Sequence, residues 1–190
     1  MTLPKMPRGR EAFDLAREKL NAEQGEFFDR ISAGPRGRVP INLRAWLHNM
    51  PFAKVAEPFG LYVSELAAIT KREKEITVLV NARFWQAAFE WAMHERHGLK
   101  AGLTPEQIES IRQGRNPGFS DLGENLTWQL AHSLHESRKV SDELYQASLA
   151  HFGHKGVSDR IGLIGLYTMI AFTLNFYDVP APPPEAAPTK

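Results

Sequence analysis

The chain has 190 residues, with 23 Lys and Arg against 22 Asp and Glu for a net charge of +1, and no cysteine. That balance gives no electrostatic reason to expect nucleic acid or an anionic membrane surface as a partner. The missing cysteine excludes disulfides, thiolate metal sites and thiol redox chemistry, while 43% hydrophobic residues suffice for one folded core.

The amino terminus, MTLPKMPRGREAF, lacks the apolar run of a secretory signal, so a cytoplasmic location is expected. Residues 10–31 read as a charge-rich helix, ended by the loop SAGPRGRVP. Residues 42–50 suggest a short helix stopped by Pro51, and residues 52–66 a helix interrupted by Pro58 and Gly60. From Lys71 to His97 apolar residues recur at helical spacing, with Gly98 as the expected stop. LTPEQIESIRQG carries a complete set of helix signals: Thr104 as cap, Pro105 in the first turn, Gln107 closing a capping box and Gly114 at the end. Residues 122–138 follow as a helix, and Ser141 caps another that Gly153 should close. A last helix, opened by Ser158 or Asp159, runs to about Tyr177 and is apolar nearly all round. Its most apolar run, residues 161–172, is shorter than the roughly 20 residues of a bilayer span and contains Gly162 and Gly165, so a buried helix is expected. No segment alternates like a strand, and the expected fold class is all-α. The tail VPAPPPEAAPTK is proline-rich and is expected to be extended or disordered.

The stretch ARFWQAAFEWAMHERHG holds the candidate chemistry. Glu90 and His94 are spaced to share a helix face, where a carboxylate can orient an imidazole for proton transfer near neutral pH. Trp85, Phe89 and Trp91 surround them and suit dry pocket walls. Glu95, Arg96 and His97 read as the wetter end of the helix. Arg83, together with Arg36 and Arg38 in the preceding loop, offers guanidinium groups that could grip a carboxylate. Six of the seven histidines form His-x-x-His pairs, His94/His97, His132/His135 and His151/His154, but none has an evident third ligand beyond nearby glutamates, and no metal is assigned. No G-x-S-x-G elbow or phosphate-binding glycine loop is present.

The run REKEI, the later FEWAMH and then GLKAGLTPEQI resemble, in order and spacing, the carboxymuconolactone decarboxylase family of the alkylhydroperoxidase D-like superfamily. The resemblance continues through FSDLGENLTWQLAHSL to GLIGLYTMIAFTLNFYDV. It divides the chain into a helical extension at 1–35, an alkylhydroperoxidase D-like helical bundle at 36–180 and the tail at 181–190. In the peroxidase branch of the superfamily the site is a glutamate, a Cys-x-x-Cys pair and a histidine. Glu75 stands at the glutamate position, Ala87 and Glu90 at the two cysteine positions, and His94 at the histidine position. The cysteine-less E-W-x-x-H form resembles the decarboxylase-like branch.

Taken as one unbroken helix, residues 71–97 would hold Glu75 and Glu90 roughly 22 Å apart. The resemblance therefore implies a bend near residues 82–86, although no Gly or Pro marks one. It further implies a cofactor-free enzyme acting on a small carboxylate or lactone, with Glu75, Glu90 and His94 catalytic, and a homo-oligomer, commonly a trimer or hexamer. Lactone hydrolysis, isomerisation and a non-catalytic binding module stand as alternatives, and thiol peroxidase chemistry is excluded.

Overall fold

The structure, a computed structural model, describes residues 17–34 and 37–183. Among these residues every regular element is helical: α1 Ala22–Ser32, α2 Ile41–Trp46, α3 Met50–Leu61, α4 Lys71–Phe84, α5 Ala88–Lys100, α6 Pro105–Arg112, α7 Leu122–Glu136 and α8 Asp142–Phe176. A 3-10 turn precedes α1, and a π-turn extends α3 over Tyr62–Leu66.

Capping chemistry fixes most boundaries. Thr70 and Glu73 close a capping box on α4, as Thr104 and Gln107 do on α6, and Ser141 caps α8. Three expectations are corrected. The first helix starts at Ala22, because the Asn21 side chain accepts from Gln24 N and Gln24 returns the bond; residues 10–16 lie outside the described residues. Pro51 opens α3 rather than stopping α2, since Asn49 caps the next turn and a first-turn proline loses no hydrogen bond. The α5 helix runs past Gly98 to Lys100, because Gly102, with φ 92°, supplies the left-handed turn. Gly98 serves packing instead: a Cβ there would stand 3.1 Å from Leu103 Cδ1. Gly153 does break α8, with φ 64° and ψ 174°, into two arms.

The bend between α4 and α5 falls at residues 85–87 without Gly or Pro. Gln86 takes it at φ 52°, a left-handed conformation uncommon for a side-chain-bearing residue. Two hydrogen bonds hold the corner: Ala87 N donates to Ala82 O at 2.9 Å, and Asn175 Nδ2 reaches from α8 to Trp85 O at 2.7 Å. Exposed Gln86 thus bears a strain that its neighbours enforce. Gln86→Gly should therefore hold or raise stability by up to about 1 kcal/mol, whereas β-branched Gln86→Val should lose about 1–2 kcal/mol. Urea unfolding of the three proteins would show the order Gly, Gln, Val; a Val variant as stable as the parent would contradict a left-handed Gln86.

The core has two main parts. One joins α1, α2 and α3 to the second arm of α8 through Leu43, Leu47, Ala53, Leu163 and Leu174. The other joins α4, α6 and α7 through Ile76, Leu79, Ile111 and Ala131. Helix α4 packs against α5, α7 and α8, so it is almost wholly enclosed. Although α8 is long and apolar enough to span a bilayer, its second arm is a core helix here, with Leu163, Leu166, Ala171 and Leu174 buried.

Candidate active site

The corner at Gln86 folds α5 back along α4, and Glu75 and His97 lie equally far from it along the chain. Helical rise then carries Glu75 to the level of His94 and His97. The His94 Nδ1 lies 2.7 Å from Glu75 Oε2, with both side chains largely buried. With Nδ1–H donating to the carboxylate, the Nε2 lone pair is left for proton transfer. The Tyr167 ring meets the His94 ring edge-on, with centroids 5.3 Å apart.

These groups open onto a cavity of about 350 Å³ between α2, α3, α4, α5 and α8. Its wall includes Glu75, Glu90, His94 and His97, with Phe89, Met93, Trp46 and Leu166 as apolar surface. Lys74 and Arg38 are cations on the same wall. The volume suits a small molecule.

Glu90 is 2% exposed, and neither of its carboxyl oxygens has a hydrogen-bond partner. Burial pushes its pKa well above the usual carboxylate range. Burial therefore favours the uncharged form of Glu90, beside the hydrogen-bonded Glu75–His94 pair. Burial first, then the charge of His94, holds the His97 pKa below the ordinary histidine value.

The Glu90 shift has a defined consequence for stability. Below the ordinary carboxylate pKa, Glu90 is protonated folded and unfolded alike. Above it, the unfolded chain releases a proton that the folded chain keeps, so stability falls as pH rises toward the folded pKa. Glu90→Gln removes this component, and its stability relative to the parent should grow between pH 5 and pH 8, by about 1.4 kcal/mol per unit of pKa displacement. Thermal melts of both proteins at the two pH values measure it; parallel pH dependence would show that Glu90 ionises normally.

The structure gathers Glu75, Glu90, His94 and Phe89 around the cavity, but it separates other candidates from it. Glu90 does not orient His94, because Glu75 holds the imidazole and Glu90 makes no hydrogen bond. Arg83 points away and bonds Glu136 on α7 at 2.5 Å. Trp85 packs at the corner with Phe84, His135 and Phe172. Trp91 faces the second core and Arg112, with the guanidinium 4.3 Å from the ring centre. Neither tryptophan lines the cavity. Arg36 lies outside the described residues, while Arg38, two positions on, is on the cavity wall. His97, read as the wet end of α5, is half-buried on that wall. Lys74 and Tyr167 were not legible as site residues, since each sits in a helical pattern that marks no pocket.

This arrangement of helices has counterparts among solved structures. An uncharacterized peroxidase-related protein from Silicibacter sp. TM1040 superimposes with TM-score 0.70 at 14% identity, covering 92% of this chain and 94% of that one. The alkylhydroperoxidase AhpD core of an uncharacterized peroxidase-related protein from Ralstonia eutropha JMP134 gives TM-score 0.71 at 13% identity, with 93% of each chain covered. A cysteine-to-alanine variant of the debrominase Bmp8, in complex with 2,3,4-tribromopyrrole, gives TM-score 0.70 at 10% identity over 90% of this chain and 91% of that one. No protein-family profile and no curated protein matches the chain. The fold is alkylhydroperoxidase D-like; at such identities the likeness carries the fold alone.

Proposed function

We propose that the protein is a cofactor-independent decarboxylase of the carboxymuconolactone type, removing carbon dioxide from a small carboxylated lactone by proton transfer. The observation that carries this reading is the pairing, on one cavity, of a neutral buried acid at Glu90 with the Glu75–His94 hydrogen bond. A buried acid whose protonated form desolvation favours, sharing a cavity with a hydrogen-bonded imidazole, is a recurrent arrangement for acid–base work.

In the proposed reaction the bond from the ring carbon to the carboxylate breaks and carbon dioxide leaves. The electron pair stays on that carbon, delocalised into the lactone carbonyl. His94, held by Glu75 through Nδ1–H, takes a proton onto its Nε2 lone pair and delivers it to the carbon; the protonated carboxyl of Glu90 on the same wall is the source, and solvent reprotonates it between turnovers. Lys74 and Arg38 hold the substrate carboxylate, a role that Arg83, paired outward with Glu136, does not fill. Phe89, Met93 and Leu166 keep water from the carbanionic centre.

Lys74→Met should raise KM for the carboxylated substrate about tenfold to hundredfold, as loss of a charge-assisted hydrogen bond does. Arg83→Ala should leave KM unchanged. Steady-state kinetics of the two variants tests the assignment, which fails if Arg83 proves the more important.

The reading includes a homo-oligomer. On α8, Ile161, Phe172 and Phe176 are 52%, 51% and 65% exposed, apolar surface that a neighbouring copy would cover. Light scattering on eluted protein tests for a trimer or hexamer.

Assaying a panel of carboxylated butenolides for carbon dioxide release tests the function itself. Ring opening without carbon dioxide would favour a lactone hydrolase on the same residues. Binding without turnover would favour a non-catalytic module.

A further inference from the structure

His97 stands on the cavity wall outside the Glu75–His94 hydrogen bond. Of the three His-x-x-His pairs, the pair on α5 alone gains a third ligand among the described residues, and that ligand comes from α4. Glu75, His94 and His97 each offer one ligand atom, and these atoms lie within 4.8 Å of one another. The two imidazole rings stand perpendicular, with centroids 5.2 Å apart.

We infer that Glu75, His94 and His97 form a three-ligand site for a divalent ion of the zinc class, and that the ion, when bound, stands in for the proton shared by Glu75 and His94 and blocks turnover. Two imidazoles and one carboxylate are a ligand set that such ions prefer. Zinc bonds of about 2.0–2.1 Å at tetrahedral angles place neighbouring ligand atoms roughly 3.3 Å apart. Nδ1 of His94 and Oε2 of Glu75, at 2.7 Å, need only part slightly to admit the ion. His97 then closes in by side-chain rotation, since it is half-buried on the cavity wall with open volume before it. The fourth position faces the cavity and remains for water or an anion. Carboxylates of Glu57 and Glu65 on the same wall, the latter 3.7 Å from Lys74 Nζ, offset the charges of Arg38 and Lys74.

The block on turnover rests on the reading of Glu75 and His94 as the proton-transfer pair; the binding does not, because it depends only on where three side chains stand. The test is therefore made first without substrate. Zinc chloride is titrated calorimetrically into metal-free protein, and bound zinc is counted by elemental analysis after gel filtration. One zinc per chain is expected, with affinity about a hundredfold or more weaker in His97→Ala and Glu75→Gln, and unchanged in His154→Ala from an exposed pair. Melting of the variants in metal-free buffer establishes that they fold, with His97→Asn as a milder substitute. Absence of uptake, or affinity in His97→Ala and Glu75→Gln equal to the parent's, overturns the site. Zinc is then added to turnover assays of the parent. Activity that persists at saturating zinc overturns the block while leaving the site standing, and failure to find any substrate leaves the binding result intact.

Discussion

Replacing His94 with Gln is expected to lower turnover about 10²–10⁴-fold, the usual contribution of a positioned proton-transfer group. Gln matches the volume of His closely enough to fill the cavity wall, but it can neither accept nor release a proton near neutral pH. Because the imidazole borders the cavity rather than the apolar core, the melting temperature should move little. Glu75→Gln should fall within the same range, since an amide accepts from Nδ1–H without compensating a developing imidazolium. The two losses should not add: once the imidazole is gone, its holder has little left to do. Single-turnover assays of both single variants and the double variant measure this. Retained activity in His94→Gln, or fully additive losses, would remove the pair from the mechanism.

The largest expected effect on stability is at Arg160, which sits in the second arm of α8 with only 4% of its side chain exposed. Its guanidinium pairs with Glu73 on α4, donates to Thr127 Oγ1 on α7 at 3.0 Å and to Gly156 O at 3.2 Å, and lies 3.4 Å from the Phe152 ring centre. Glu73 is also the closing residue of the α4 capping box, accepting from Thr70 N at 2.8 Å. One buried ion pair thus fixes the register of three helices, including the wall carrying Tyr167 and the start of the helix carrying Glu75. Arg160→Met leaves the Glu73 carboxylate buried without its counter-charge, which costs about 3–5 kcal/mol in comparable sites. For a chain of this size that lowers the melting temperature by on the order of 10 °C. Adding Glu73→Gln should recover part of the loss, because the stranded charge is then removed. Urea unfolding of both variants measures it, and a loss below about 1 kcal/mol would show that the pair is not a structural anchor.

The helical class and most helix starts were legible because capping is local: Thr70, Thr104 and Ser141 each satisfy backbone donors within one turn. The bend was legible only through resemblance. Gln86 enters the left-handed region because Ala87 and Asn175 tie down the corner around it, and a long-range bond from α8 leaves no trace in the local sequence. The identities of Glu75, Glu90 and His94 were also legible, but the partnership was not. Spacing of four on one helix pointed to Glu90 as the holder of His94, whereas a bend lets Glu75 arrive from another helix and leaves Glu90 to be buried unpaired. Trp85 and Trp91 misled for a related reason. Aromatic residues flanking a polar stripe lie on its other faces, and here those faces meet α7, α8 and α6 rather than the cavity. Arg83 shows the same effect, its side chain turned outward to Glu136.

The central claim is that this cavity delivers a proton to a carbon that has just lost carbon dioxide. Turnover of a carboxylated butenolide in deuterium oxide, followed by NMR and by carbon dioxide capture, tests it most directly. One carbon dioxide per product and one deuterium on the carbon that bore the carboxylate are expected, with both signals lost in His94→Gln. Product formed without carbon dioxide, or labelled equally in His94→Gln, would contradict it.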